Sequence, residues 1–434
     1  MEKVINPGIF LLAALIIVSP LPLGCVFCWS FFLLLFLLNL ASLLLLKGEA
    51  EVSDNRVEVP LFLLMGFMAF QIVPLPKFLL RLISPAGVKI LSLSLGDFNF
   101  HPLSVAPSRT VFYFVGFSSF ILLGLVLWRR EWKREEVLFL TKSFIILGLW
   151  ESLFSILKFL AHRKRVLVFW GSESTFPTGT LRNPDHFSAL LEIILPISLG
   201  YIYYKMKRES LVRVLSSREV LFLLAPLSIL LAIALSHSRA GVVTTGISLL
   251  IFFQLTVGRK MIPRHRRAYR IFLLSLTLSV LALGGLFTYR KGLKLYRGQI
   301  WALSLQAFKD YPVLGSGFGT FPDLIETYRR EPGFLSLIAH AHNDYLEFLT
   351  EGGLLGASLL FVPLILAFFS GFQAWEDRRY PLVRCIGAGF ISGVLAGAFH
   401  SFFDFPLRIP SVALAFVVAF STATSIGRVK RRQR

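Results

Sequence analysis

The sequence is short of nearly everything a soluble domain uses to meet water. Only 16% of its 434 residues are charged, against 55% that are hydrophobic, and phenylalanine alone occurs 43 times. A soluble fold of this length needs far more polar surface, so the composition points to a polytopic membrane protein. Acids are scarcer than bases, 25 against 45, which leaves a net charge of +20. In a membrane chain such an excess collects on the loops of one face, where Lys and Arg set orientation, and no nucleic-acid partner is expected. Three cysteines make no disulfide framework, and Cys25-Val-Phe-Cys28 opens an apolar segment with no redox fold around it. Core or lipid-side thiols are expected there. Neither an H-E-x-x-H motif nor a His-plus-carboxylate cage stands out, and no metal is expected.

What is abundant is apolar sequence in lengths that suit a bilayer. A span needs about 20 mostly apolar residues. Twelve candidates fall near 8–24, 25–46, 60–76, 110–128, 137–161, 187–204, 219–236, 240–257, 271–289, 353–374, 385–400 and 409–427. The expected fold is therefore an all-α membrane protein of about 12 helices, a single integral domain over 1–434. The basic loops after the fourth, sixth, eighth, tenth and last spans are all even-numbered, which places the N-terminus and the basic tail 428–434 in the cytoplasm. The exceptions are His162–Arg165 and Arg290-Lys291. The long insert 290–352 then lies on the opposite face, and Arg297–Phe308 within it has apolar residues at 300, 301, 303, 305 and 308, as in a short amphipathic helix on the membrane surface.

Polar groups gather on that opposite face where spans begin or end: Gly179–His186, Ser236–Gly241, Arg297 with its helix, His340–Glu347 and His400–Pro406. Arg239 closes an apolar run beside Ser236, His237 and Ser238. A snorkelling anchor and a phosphate ligand both fit it. Arg297, near Tyr296 and Trp301, fits an interfacial belt or the same anion. His342-Asn343 leads directly into Asp344-Tyr-Leu-Glu347, so the imidazole belongs at the mouth of the bundle. A neutral imidazole oriented by a carboxylate is the usual general base; Asp344, Glu347 and Asp404 are the candidates to orient it. Gly315-Ser-Gly-Phe-Gly319 lacks the strand and lysine of a phosphate loop and reads as a turn after Tyr311-Pro312.

His342-Asn343, nine residues, then Gly353-Leu-Leu-Gly356 matches at every fixed position the motif of the O-antigen ligase and O-antigen polymerase superfamily of bacterial envelope glycosyltransferases, which this chain resembles. Ser238-Arg239 is similar to the family's Ser-Arg-Gly turn, with Ala240 in place of Gly and Val243 in place of the usual Leu. The resemblance covers roughly 100–425. It implies a bacterial inner-membrane enzyme with a periplasmic site, a glycan donor on undecaprenyl pyrophosphate and no cofactor. The implied acceptor is a lipid A–core or similar hydroxyl; a second lipid-linked repeat unit, as in a polymerase, is the alternative. It further implies that Arg239 and Arg297 hold the pyrophosphate and that His342 activates the acceptor. Asn343, Arg182, His186, Ser238, Trp301, His340 and Asp404 are expected to line the substrate site. A transporter of a lipid-linked anion would use the same arginines, but transporters tend to carry their polar groups near the midplane and to show repeat symmetry. Here the polar groups cluster at one end of the spans, which favours the enzyme.

Overall fold

The computed structural model describes residues 5–46, 53–160, 178–210, 212–213, 216, 218–257, 296–329 and 337–429. In chain order the helices are α1 (Pro7–Val18), α2 (Cys28–Leu46), α3 (Asn55–Phe70), α4 (Lys77–Ile83), α5 (Pro85–Leu95), α6 (Pro107–Arg129), α7 (Arg134–Leu160), α8 (Pro184–Met206), α9 (Leu221–Leu235), α10 (Arg239–Thr256), α11 (Tyr296–Asp310), α12 (Phe321–Glu326), α13 (Asp344–Asp377), α14 (Pro381–His400) and α15 (Pro410–Ser425). Two three-residue strands, β1 (Pro74–Pro76) and β2 (Phe100–Pro102), pair antiparallel around α4 and α5. The protein is an all-α polytopic membrane protein. Among the described residues eight helices are long and apolar enough to cross a bilayer: α2, α6, α7, α8, α10, α13, α14 and α15 with its last turn to Arg428. The spans expected near 8–24 and 219–236 are shorter apolar helices of 12 and 15 residues, and the one near 60–76 is the 16-residue α3. The span expected at 271–289 lies outside the described residues, as do His162–Arg165 and Arg290-Lys291.

Two buried helices, α8 and α14, form the centre. Gly389 and Gly393 of α14 lie against the backbone of Pro196 and Ile193, where a Cβ would collide with a carbonyl. With little hydrophobic drive between helices in lipid, such close backbone approach supplies the packing. The described basic loops converge on one end of the bundle. There Arg134 donates to the Tyr204 hydroxyl (3.0 Å), Arg208 to the same oxygen (3.0 Å) and Arg378 to the Gly427 carbonyl (2.8 Å). The segments that carry His186, Arg239, Arg297, His342 and Asp404 meet at the other.

Helix α13 is two helices joined at Gly353, where the backbone turns to φ 61°, ψ −169°. That conformation is essentially reserved for glycine. The helical ladder breaks there, and the Leu354 and Leu355 amides donate instead to the carbonyls of Pro312 (2.8 Å) and Val313 (3.0 Å). In return, Ser316 and Gly317 amides donate to the carbonyls of Thr350 (3.2 Å) and Glu351 (3.0 Å). The turn expected at Gly315–Gly319 is thus a backbone splice into the break. The span expected to begin at 353 begins there, after a nine-residue lead carrying Asp344, Glu347 and Glu351. A Cβ on Gly353 would run into the Val313 carbonyl. Gly353→Ala is therefore expected to cost about 1–3 kcal/mol, read as a lower thermal midpoint in detergent. Gly66→Ala, in helical backbone with open space around its Cα, is the control that should leave the midpoint unchanged or raised.

Candidate active site

His342 stands in left-handed backbone (φ 50°), immediately before the start of α13. Asn343 is the N-cap: its side-chain oxygen accepts from the Leu346 amide at 3.0 Å. The motif's asparagine thus has a structural duty, closing the helix's first turn, beside the substrate contact expected of it. Trp301 on α11 donates its indole N–H to the Ala341 carbonyl (3.0 Å), pinning the loop from outside. The helix expected over 297–308 is present, but its buried face runs through Ile300, Ser304 and Ala307, and Leu305 of the expected apolar stripe is exposed.

Of the three carboxylates that were candidates to orient His342, Asp404 does so. His342 Nδ1 lies 2.6 Å from Asp404 Oδ1. Asp344 is instead tied to the neighbouring turn, accepting from the Ser401 hydroxyl (2.9 Å) and the Leu407 amide (3.1 Å). Glu347 serves His340, whose Nδ1 is 3.0 Å away, and the Ala341 amide at 2.8 Å. Burial raises the Asp404 carboxyl, but the hydrogen bonds from His186 and His342 outweigh it and hold the group well below the usual carboxylate range. An ionised carboxylate has no proton to give, so Nδ1 is the donor in this pair, and in the neutral tautomer that this selects Nε2 keeps its lone pair. Nε2 takes no hydrogen bond among the described residues, and about a quarter of the side chain is exposed (26%). An imidazole held in this way can accept a proton at Nε2.

Phe405 sits at the centre of the cluster. His340 stacks on it at 3.9 Å between centroids, and His186 (4.7 Å) and His342 (5.1 Å) meet it edge-on. Arg408, on the same turn, is buried between Glu351 (2.8 Å) and Glu347 (3.5 Å). Burial works against its charge, but the two carboxylates prevail and raise it further. Arg408 therefore anchors the site and is not available to an incoming anion.

The two arginines expected to hold an anion differ. Arg297 donates to the Phe403 carbonyl (2.8 Å) and to Asp185 Oδ2 (3.2 Å), and it lies 4.0 Å from Asp404. Arg239 opens α10, half-buried, with no hydrogen bond or ion pair among the described residues. Its neighbour Ser238 is the N-cap of α10, accepting from the Gly241 amide (2.9 Å) and donating to Asp185 Oδ1 (2.6 Å). Asp185 thus holds both cation-bearing segments, yet the sequence reading passed over it. An acid in the first turn after Asn183-Pro184 reads as ordinary helix-start chemistry. Phe405 was missed for the same reason, since one more phenylalanine carries no signal here. His186 is 3.4 Å from Asp404, while Arg182 is exposed and unpaired among the described residues. The N-termini of α8, α10, α13 and α15 all face this end, and their partial positive charges favour an anion.

Beside His340 an apolar cavity of about 460 Å³ opens between α3, α6, α13 and α15. Its polar lining sits at the site end, at His340, Asp344, Arg408 and Tyr113, and its walls follow α6 from Phe112 to Trp128.

Residues 223–361 match the family model described as O-Antigen ligase. That stretch contains Arg239, Arg297, His340 and His342; Asp185, His186 and Asp404 lie outside it. No match is found among curated proteins.

Proposed function

On the premise that this chain carries a domain of the O-antigen ligase and polymerase superfamily, we propose that it transfers a glycan from undecaprenyl pyrophosphate to an acceptor hydroxyl, without a metal, on the periplasmic face of the bacterial inner membrane. The observation that carries this reading is the pairing of His342 with Asp404 at 2.6 Å, with Nε2 left open. In the proposed step the acceptor O–H gives its proton to His342 Nε2, and the oxygen bonds to the anomeric carbon. The bond from that carbon to the phosphate oxygen breaks, and its electron pair leaves with undecaprenyl pyrophosphate. Arg239 and Arg297 meet the growing charge, helped by the helix N-termini around them. Asp185 keeps Arg297 in place until the pyrophosphate arrives. His186 and His340, with Asn343, Trp301, Ser238 and Arg182, line the approach of the two sugars. The apolar cavity beside His340 supports a substrate with a long hydrocarbon part, and the basic loops at the opposite end support the periplasmic placement.

The test is a reconstituted assay with an undecaprenyl-pyrophosphate glycan in EDTA, offered a lipid A–core acceptor or further donor alone. Release of undecaprenyl pyrophosphate is expected, and the productive acceptor separates ligase from polymerase. Turnover that appears only on adding a divalent metal would overturn the metal-free mechanism. In the same assay Arg239→Lys is expected to lose about tenfold or more in kcat/KM, because a lysine keeps the charge and loses the fork that grips two phosphate oxygens. Wild-type kinetics in that variant would make Arg239 a membrane anchor.

A further inference from the structure

A second acid–histidine pair lies behind the site, and the proposed step does not use it. Glu192 is fully buried on α8, two turns in from Asp185. Its carboxylate bonds the Thr244 hydroxyl on α10 and lies 3.1 and 3.2 Å from His400 Nδ1 at the end of α14. Ionisable groups are rare inside a span and tend to mark function. His400 Nε2 is buried with no hydrogen-bond partner, so Glu192 supplies the ring's hydrogen bond.

A buried polar pair of this kind also stitches helices together, and that is its commonest duty. The location argues for more. Thr244 is five residues beyond Arg239 on α10, and its hydroxyl also reaches the Ala240 carbonyl (2.7 Å), so it grips the first turn of the helix that Arg239 opens. His400 ends α14, and its carbonyl accepts from the amides of Phe403 (2.8 Å) and Asp404 (3.2 Å), so it fixes the turn that presents Asp404. The third helix, α8, starts with Asp185 and His186. One carboxylate therefore joins the three elements that carry the anion-facing arginine, its tether and the partner of the base.

We infer that Glu192 is a positioning residue for glycan transfer: through Thr244 it sets where Arg239 stands for the pyrophosphate, and through His400 where Asp404 holds the base. The inference rests on the function proposed above for what Arg239 and Asp404 do.

The two arms predict different kinetics. Thr244→Val keeps shape and removes the hydroxyl that reaches Glu192 and the Ala240 carbonyl; it is expected to raise the donor KM about tenfold with kcat nearly kept. His400→Leu is expected to lower kcat about tenfold with donor KM nearly kept, and His400→Gln, which can still donate to Glu192, to recover most of the loss. Glu192→Leu combines both defects if it folds, and the two single-arm variants carry the test if it does not. Affinity for undecaprenyl pyrophosphate is measured alongside without turnover. A split between the arms upholds the inference. Variants that leave both constants unchanged, or that lower activity only in step with thermal stability, overturn it. Absence of wild-type turnover with either acceptor sinks the transfer reading instead; affinity then decides the Thr244 arm, upheld by tenfold weaker binding in Thr244→Val and overturned by equal binding.

Discussion

His342→Ala is expected to abolish transfer, with kcat lowered by about 10²–10⁴-fold, the share a positioned base contributes, while undecaprenyl pyrophosphate still binds. The separation follows from the geometry. His342 is held through Nδ1 by Asp404, and the guanidinium groups that would hold the pyrophosphate belong to other elements, Arg239 to α10 and Arg297 to α11. The substitution removes no backbone anchor, because Asn343 caps α13 and Trp301 holds Ala341. Alanine is less at home than histidine in the left-handed backbone at this position, so the thermal midpoint of the variant is read beside its activity. The check is single-turnover transfer beside equilibrium binding of the carrier pyrophosphate. Loss of binding together with turnover would make His342 a donor contact and remove it as the base.

Asp404→Asn is expected to cost nearly as much, about 10²–10⁴-fold, in a protein that still folds. Asparagine fits the same space, but its amide can donate to Nδ1, which moves the ring proton to Nε2 and takes away the lone pair the acceptor needs. The two other carboxylates of the cluster provide the contrast. Glu347→Gln disturbs His340 and Arg408, and Asp344→Asn the Ser401 turn, so both should act mainly on stability. Because the Asp404 pKa is depressed in the folded protein, its ionised form contributes stability above the ordinary carboxyl range, and that contribution is lost as pH falls through the folded value. The stability gap between wild type and Asp404→Asn should therefore be full at neutral pH and close only in strong acid. An Asp404→Asn enzyme that turns over at the wild-type rate would show that His342 needs no carboxylate.

Much of this was legible in the residues because membrane physics writes plainly. Apolar runs located the long helices to within a few residues, and the start of the tenth run fell on the Gly353 break. The polar segments at span ends were recognised because such groups are costly in lipid. Pairings between distant segments could not be read. Asp404 is 62 residues from His342, and no local spacing ranks it above Asp344 or Glu347, which lie nearer in sequence. Asp185 hid behind its usefulness as a helix-start acid, and the motif's asparagine and glycines hid a structural duty behind a functional pattern. Gly353 is glycine for its backbone angles, and Asn343 closes a turn. The histidine between the loop and α13 is the part of the motif to which the proposed function assigns the chemistry.

The splice at Gly353 also fixes an order of assembly. In hydrocarbon an amide without a partner costs several kcal/mol, and the amides of Leu354 and Leu355 have theirs on Pro312 and Val313, some forty residues earlier. The apolar run that follows is therefore complete only once the earlier strap has docked on it. Until then the amides of its first turn depend on water at the membrane surface, and they should exchange with solvent faster in any variant that loosens the strap.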